Sequence, residues 1–476
     1  MDYTIFKEAL FTEAAACGFS DWEIYYTDGS SFSVKIFGGE IAEYKNTDHI
    51  GLSFRGTYKN GMGYAYTEKL DKSIIPKLIK NAAENASVIE EKEIEVLYRH
   101  RPDRPEDAAY PEIKSYNPTL EKTSVKEKID LALAMERCAY NRDPRVKSVD
   151  YCQLGTSKYT VKIANSYGLD LSTCANFAYG YVMARVEDKV TKTAHEIWHG
   201  NDFSKFSYEE VAKKAVDRAL SYLGAKSLES AEYPVIFDNR TACELMGAFS
   251  PVFFAENAQK GFSLLKGREG ELIASAKVTL RDDPEGPDLS GGQNGGHNED
   301  HNYETFANTP FDSEGVATRP KAVIEKGQLK TLLYNTKSAA KEGVSSTGNG
   351  FKSSFQSSVT TACTNFYIMP SGISPEELRK DIKKGVLITE VAGLHSGLNT
   401  ISGDFSISAS GFLVEGGQIA RPVEQITVAG NFYKMLKNIR QVGSDLRFEI
   451  PDSSGTFGMP SILVDGLSVS GAYALT

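Results

Sequence analysis

The feature that most restricts how this chain can fold is an internal repeat. A helical stretch at 4–17 leads into the alternating segments SFSVKIFGGEI and HIGLSFRGTYKNGMGYAYT, and then into an amphipathic helix over 70–89 with Ile74, Ile75, Leu78, Ile79 and Ala82 on one face. The order returns further on. A helix over 125–140 precedes KYTVKIANSYGLDL and FAYGYVMARVEDKVTKTAHEIWHG, and a second amphipathic helix over 208–223 carries Val211, Ala215, Val216 and Leu220. Lys59-Asn60-Gly61 is a hairpin signal. Ser33-Val34-Lys35-Ile36 aligns with Thr160-Val161-Lys162-Ile163, and Gly63-Tyr64-Ala65-Tyr66 falls where the second copy has 195–199. The charged, proline-bearing stretch 91–121 reads as the crossover between copies.

Glycine usage shifts after the repeat. Of 41 glycines, 13 lie in residues 1–228 and 28 in the rest, which marks turn-rich, strand-rich structure from there on. The expectation is an α+β protein of 476 residues, too long for one core. Residues 1–228 would form an N-terminal α/β domain with two similar halves, and 229–476 a C-terminal β-rich domain with a curved or barrel-like sheet. That second part opens with the buried-strand signal YPVIFDN and a helix from Thr241. The segment ITEVAGLHSGLNTISGDFSISASGFLVEGGQI reads as strands crossing a closed or strongly curved sheet.

Charge and cysteine usage exclude some classes. Lys+Arg number 53 against 63 Asp+Glu, giving a net charge of -10, the wrong sign for holding phosphate backbones; no direct nucleic-acid partner is expected. Residues 281–320 hold nine acids and two bases, so one surface loop carries most of that charge. The six cysteines are scattered without a CxxC pair and read as buried thiols in a reducing compartment. The N-terminal stretch lacks a signal peptide's basic and continuous apolar regions, and no run suits a membrane span. A cytoplasmic location is expected.

His195-Glu196-Ile197-Trp198-His199 fits HExxH, which on a helix brings two imidazoles to one zinc ion with the glutamate activating its water. On a strand four residues span roughly 13 Å, and one ion cannot be shared. Thr191, Thr193, His195, Ile197 and His199 alternate with Lys192, Ala194, Glu196 and Trp198, and Gly200-Asn201-Asp202 ends the run, so a strand is expected. His297, Glu299, Asp300 and His301 form a weaker grouping in a glycine-rich loop, and His395 and Asp404 are substrate-groove candidates. Neither a GxSxG elbow nor a Walker A or dinucleotide fingerprint is present.

Four segments together resemble the PmbA/TldD family, described as modulators of DNA gyrase and grouped with metallopeptidases: Pro310-Phe311-Asp312-Ser313-Glu314-Gly315-Val316-Ala317-Thr318-Arg319, LKTLLYNT at 329–336, Gly403-Asp404-Phe405-Ser406, and PSILVDGL at 460–467. The resemblance implies an N-terminal α/β and a C-terminal β-rich domain. In TldD-type members it implies a metal-binding HExxxH helix just after the strand that opens the second domain, plus a C-terminal cysteine. Here that helix reads Cys243-Glu244-Leu245-Met246-Gly247-Ala248, with only Glu244 matching, and PDSSGTFG has no cysteine. This pattern is similar to the PmbA (TldE) branch. It implies a non-metal subunit of a cytoplasmic protease acting on unfolded peptides, with no cofactor of its own and with zinc or another divalent metal in a TldD-like partner. Two alternatives stay open: an autonomous zinc peptidase using His195, Glu196 and His199, and a non-catalytic homodimer that binds peptides or a protein client.

Overall fold

The computed structural model describes residues 1–88, 95–101, 109–287, 305, 308–450 and 454–471. Helix α1 (Tyr3–Ala16) is capped by Asp2, which accepts from the Thr4 N–H at 2.8 Å, and buries Phe6, Leu10 and Ala14. Strands β1 (Asp21–Phe37), β2 (Glu40–Tyr58) and β3 (Gly61–Thr67) follow, then α2 (Ile75–Val88). The second copy consists of α3 (Val125–Arg142), β4 (Val146–Asn165), β5 (Asp170–Glu187), β6 (Thr191–Gly200) and α4 (Tyr208–Ser221). All six strands form one sheet in the order β3-β2-β1-β4-β5-β6, antiparallel throughout, so the first strands of the two copies meet at its centre. The β2–β3 turn places Lys59 and Asn60 at φ 50° and 70°, the left-handed pair that a tight hairpin needs.

The copies also share their punctuation. Before the closing helix of each, an aspartate caps a short 3-10 turn two residues on: Asp71 accepts from the Ser73 N–H at 2.8 Å and Asp202 from the Ser204 N–H at 2.9 Å. Because of the first of these turns, the helix expected over 70–89 begins only at Ile75. The strand alignment read from sequence needs correcting by one residue. Val34 and Ile36 pack beneath α3, whereas Val161 and Ile163 lie on the opposite face with Phe311 and Leu169. A slip of one position reverses every side chain of a strand, so matching VKI to VKI equates residues on opposite faces.

Beyond residue 230, β7 (Ala231–Phe237) leads into α5 (Asn239–Phe249). β7 pairs in parallel with Lys384–Ala392 and antiparallel with Ile462–Gly471. Lys384–Ala392 continues to Asp404–Glu415 and on to Gln418–Asn431, which returns to Ile462–Gly471 and closes a five-stranded barrel. A second six-stranded sheet contains the short strands Leu280–Asp283, Lys321–Glu325, Asn365–Ile368 and Thr456–Met459. α5 packs between barrel and sheet, and Phe237, Phe249, Phe253, Phe366, Phe405 and Phe432 fill the joint core.

Both repeat copies fasten to this second part. At β6 and α4, Tyr222 stacks on Phe412 with centroids 5.7 Å apart, and Lys192 pairs with Glu424. At β1 and β2, buried Arg55 donates to Glu23 at 2.8 Å and lies 3.7 Å from Glu314. The expected grouping of His297, Glu299, Asp300 and His301 lies outside the described residues. Among the described residues, no helix is long and apolar enough to cross a membrane.

Candidate functional site

Helix α5 starts where β7 leaves the barrel. Asp238 caps it, accepting from the Thr241 N–H at 2.8 Å, and the first turn projects Arg240 towards β6. The Arg240 guanidinium donates to the Glu196 carboxylate at 2.7 Å and lies 3.2 Å from His195 Nε2. Arg447, from the short strand Arg447–Phe448, donates to the other Glu196 oxygen at 3.0 Å and to Glu449 at 2.7 Å. Glu196, Arg240 and the ring of His195 thus form one buried knot between the two parts of the chain.

The HEIWH stretch is strand β6, and its side chains take separate partners. His195 stacks on Tyr181 with centroids 5.3 Å apart. Burial and the positive Arg240 and Arg218 bring its pKa down to about 4, so the ring is neutral and its Nε2 accepts from Arg240. His199 Nε2 donates to the Phe448 carbonyl at 2.8 Å. Glu196 is buried, yet Arg447 and Arg240 hold its carboxyl below the usual range. A carboxylate engaged by two guanidiniums is not placed to activate water, and this backbone does not aim both imidazoles at one ion.

On α5, Cys243 is buried and its Sγ donates to the Arg447 and Phe457 carbonyls at 3.3 and 3.4 Å. Burial and the nearby Glu449 push the thiol well above its usual pKa, so it stays protonated. The next residue, Glu244, has its carboxyl pushed up to about 7, by burial first and then by Glu449. Ala248 offers a methyl group. A thiol that spends its proton on carbonyls and a residue without a lone pair do not fit a metal ion here, and among the described residues no three His, Cys, Asp or Glu side chains are grouped to hold one.

The structure therefore brings His195, Glu196, Cys243 and Glu244 to one interface, and it leaves His395 and Asp404 in other settings. His395 is exposed in the turn that follows Gly393. Asp404 accepts from Asn431 and Ser402, both at 2.8 Å, which fixes the turn before a barrel strand. Sequence reasoning missed Arg240 and Arg447. The only local signal was their type, since each finds Glu196 across a long stretch of chain.

Three family models match: PmbA/TldA metallopeptidase domain 1 at residues 22–86, the central domain at 118–223 and the C-terminal domain at 230–471. A metalloprotease PmbA homolog of Haemophilus influenzae is 28% identical, over 98% of this chain and 95% of the relative. The metalloprotease PmbA of Escherichia coli O157:H7 is 27% identical, over 97% and 96%. Among solved structures, a Thermotoga maritima protein described provisionally as a modulator of a DNA gyrase superposes with a TM-score of 0.85 at 32% identity, covering 98% of this chain and 100% of that one. TldE of Thermococcus kodakarensis shares the fold, with a TM-score of 0.86 at 22% identity over 98% and 100%.

Proposed function

The chain belongs to the PmbA/TldD metallopeptidase family, and from that premise we propose that it is the non-metal subunit of a TldD/TldE-type protease complex. The observation that carries this reading is the state of α5. Where a catalytic relative would present two metal-binding histidines, this helix has the Cys243 thiol, donating to two carbonyls, and the Ala248 methyl. The hydrolytic metal, zinc or another divalent ion, would then reside in a TldD-like partner. This chain would complete the enclosed chamber and hold an extended peptide there by strand addition. An enclosed site admits only chain that can thread through it, which spares folded proteins; a cytoplasmic setting suits an activity directed at unfolded peptides.

The test is metal analysis and a peptidase assay on the purified chain, alone and mixed with a TldD-like chain. Expected are zinc far below one equivalent and no cleavage alone, with cleavage appearing on mixing. Zinc near one equivalent in the isolated chain, or peptide cleavage without a partner, overturns the proposal.

A further inference from the structure

A cavity separate from the α5 knot lies where β1, β4 and β5 of the first sheet meet the loops that carry the PFDSEG segment. It has a volume of about 500 Å³, and its walls include Tyr25, Tyr159, Val161, Phe311, Phe351 and Lys352. The wall also carries Asp312, whose carboxyl accepts from the Glu314, Val316 and Gly350 N–H groups. With the aromatic rings and the Lys352 ammonium beside it, the lining suits an apolar group with one charged end.

The cation is incompletely satisfied. Lys352 Nζ donates to Ser53 Oγ at 2.9 Å and sits 5.3 Å from the centre of the Tyr25 ring. Among the described residues no carboxylate forms an ion pair with it. An ammonium has three N–H donors, and leaving two without acceptors in a largely buried place is costly unless water or an anion takes them. Of the acids that act on it, Glu23 accepts from Arg55 through Oε1 and leaves Oε2 without a hydrogen bond, beyond ion-pair distance of Lys352, and Glu314 accepts from Thr336 N–H and Oγ. Burial and the neighbouring Arg55 bring the Lys352 pKa down to about 8, against the opposing pull of Glu23, Glu314 and Glu95, so an anion at this wall would restore the charge it disfavours. In the same wall, the Tyr159 hydroxyl makes no hydrogen bond to the described residues and is available as a second donor.

We propose that this cavity binds the C-terminal carboxylate of an extended peptide whose last side chain is apolar. The carboxylate would accept from Lys352 Nζ and Tyr159 Oη, and the terminal side chain would lie against Phe311 and Phe351. A lone aromatic acid carries the same charge, but the cavity is larger than such an acid fills and leaves space for the preceding peptide units. The assignment rests on the peptide-processing reading above, and it gives this subunit a direct grip on one end of the substrate.

The experiment is calorimetric titration of the isolated, metal-free chain with N-acetyl-Ala-Ala-Phe as the free acid, with its C-terminal amide, and with 3-phenylpropanoate. The free acid is expected to bind at least tenfold tighter than the amide. Lys352→Met should abolish that preference, and Tyr159→Phe should weaken free-acid binding several-fold. Equal affinity of acid and amide, or binding of neither, overturns the proposal without needing any variant to fold. Binding of 3-phenylpropanoate as tight as that of the tripeptide acid overturns the peptide as occupant. Since no partner or metal is present, failure here leaves the mixing experiment above unaffected, and the two readings fail separately.

Discussion

Replacing Arg240 with methionine tests whether the knot at Glu196 holds the two parts of the chain together. The Arg240 and Glu196 side chains are 6% and 9% exposed and lie 2.7 Å apart, so the substitution leaves a buried carboxylate short of a partner. Removing one member of a buried pair costs about 3–5 kcal/mol. Arg447, 3.0 Å from the other Glu196 oxygen and 25% exposed, stays in place, which puts the expected loss near the lower end, about 3 kcal/mol. Unfolding entropy of roughly 2 cal/mol/K per residue gives about 0.5 kcal/mol/K for a unit the size of residues 230–471, and twice that for the whole chain. The melting temperature should therefore fall by about 6 °C if the second part melts alone and by about 3 °C if both parts melt together. Differential scanning calorimetry at pH 7 reads both the shift and the number of transitions. Glu196 is held below its usual pKa, so its contribution is present above the unfolded value and is lost as pH falls through the folded one. The gap between wild type and variant should close in acid. The double variant Glu196→Met/Arg240→Met should recover part of the loss, because no stranded charge remains. An unchanged melting temperature for Arg240→Met at pH 7, or a gap that does not narrow as pH falls through the acid range, would refute the reasoning.

Two further outcomes are open to direct measurement. Glu244 has a carboxyl raised to about 7, so between about 4.5 and 7 the folded chain binds more protons than the unfolded one and stability drops as pH rises; Glu244→Gln should add about 1–3 kcal/mol at pH 8 and almost nothing at pH 4.5, read by denaturant midpoints. At Gly63, a Cβ would collide with the Ala82 carbonyl of α2, which lies against β3; Gly63→Ala should lower the melting temperature by the equivalent of about 1–3 kcal/mol, and a neutral result would show that α2 can move away.

How far the sequence could be read depended on the range of the interactions involved. The repeat was legible because its signals are local: apolar spacing in the helices, Lys59-Asn60-Gly61 in the hairpin and alternation from Thr191 to His199. The same alternation identified HEIWH as a strand, since strand and helix differ in period within a few residues. Closure of the barrel was suggested by the density of strands and glycines after residue 384, but the pairing of Gln418–Asn431 with Ile462–Gly471 has no local signature. The expectation that Cys243 and Ala248 stand where catalytic relatives have metal-binding histidines came from family resemblance; that the thiol donates to Arg447 and Phe457 carbonyls was not legible, because both acceptors come from strands some 200 positions away. Lys352 looks like any surface lysine until Ser53 and Tyr25 are folded against it. His395 and Asp404 drew notice for their residue type, and Asp404 instead braces a turn.

The meeting of β1 and β4 at the centre of the first sheet gives the molecule an internal control. Carried across the two copies, the registers equate the cross-strand row Glu23, Arg55, Tyr64 with the row Tyr151, Met183, His195. In one copy that row reaches the second part of the chain through a guanidinium beside Glu314; in the other it does so through an imidazole beside Arg240. A single architecture has thus been wired twice with different chemistry. Exchanging residues between equivalent positions separates what the backbone imposes from what the side chains add, within one polypeptide and under identical conditions.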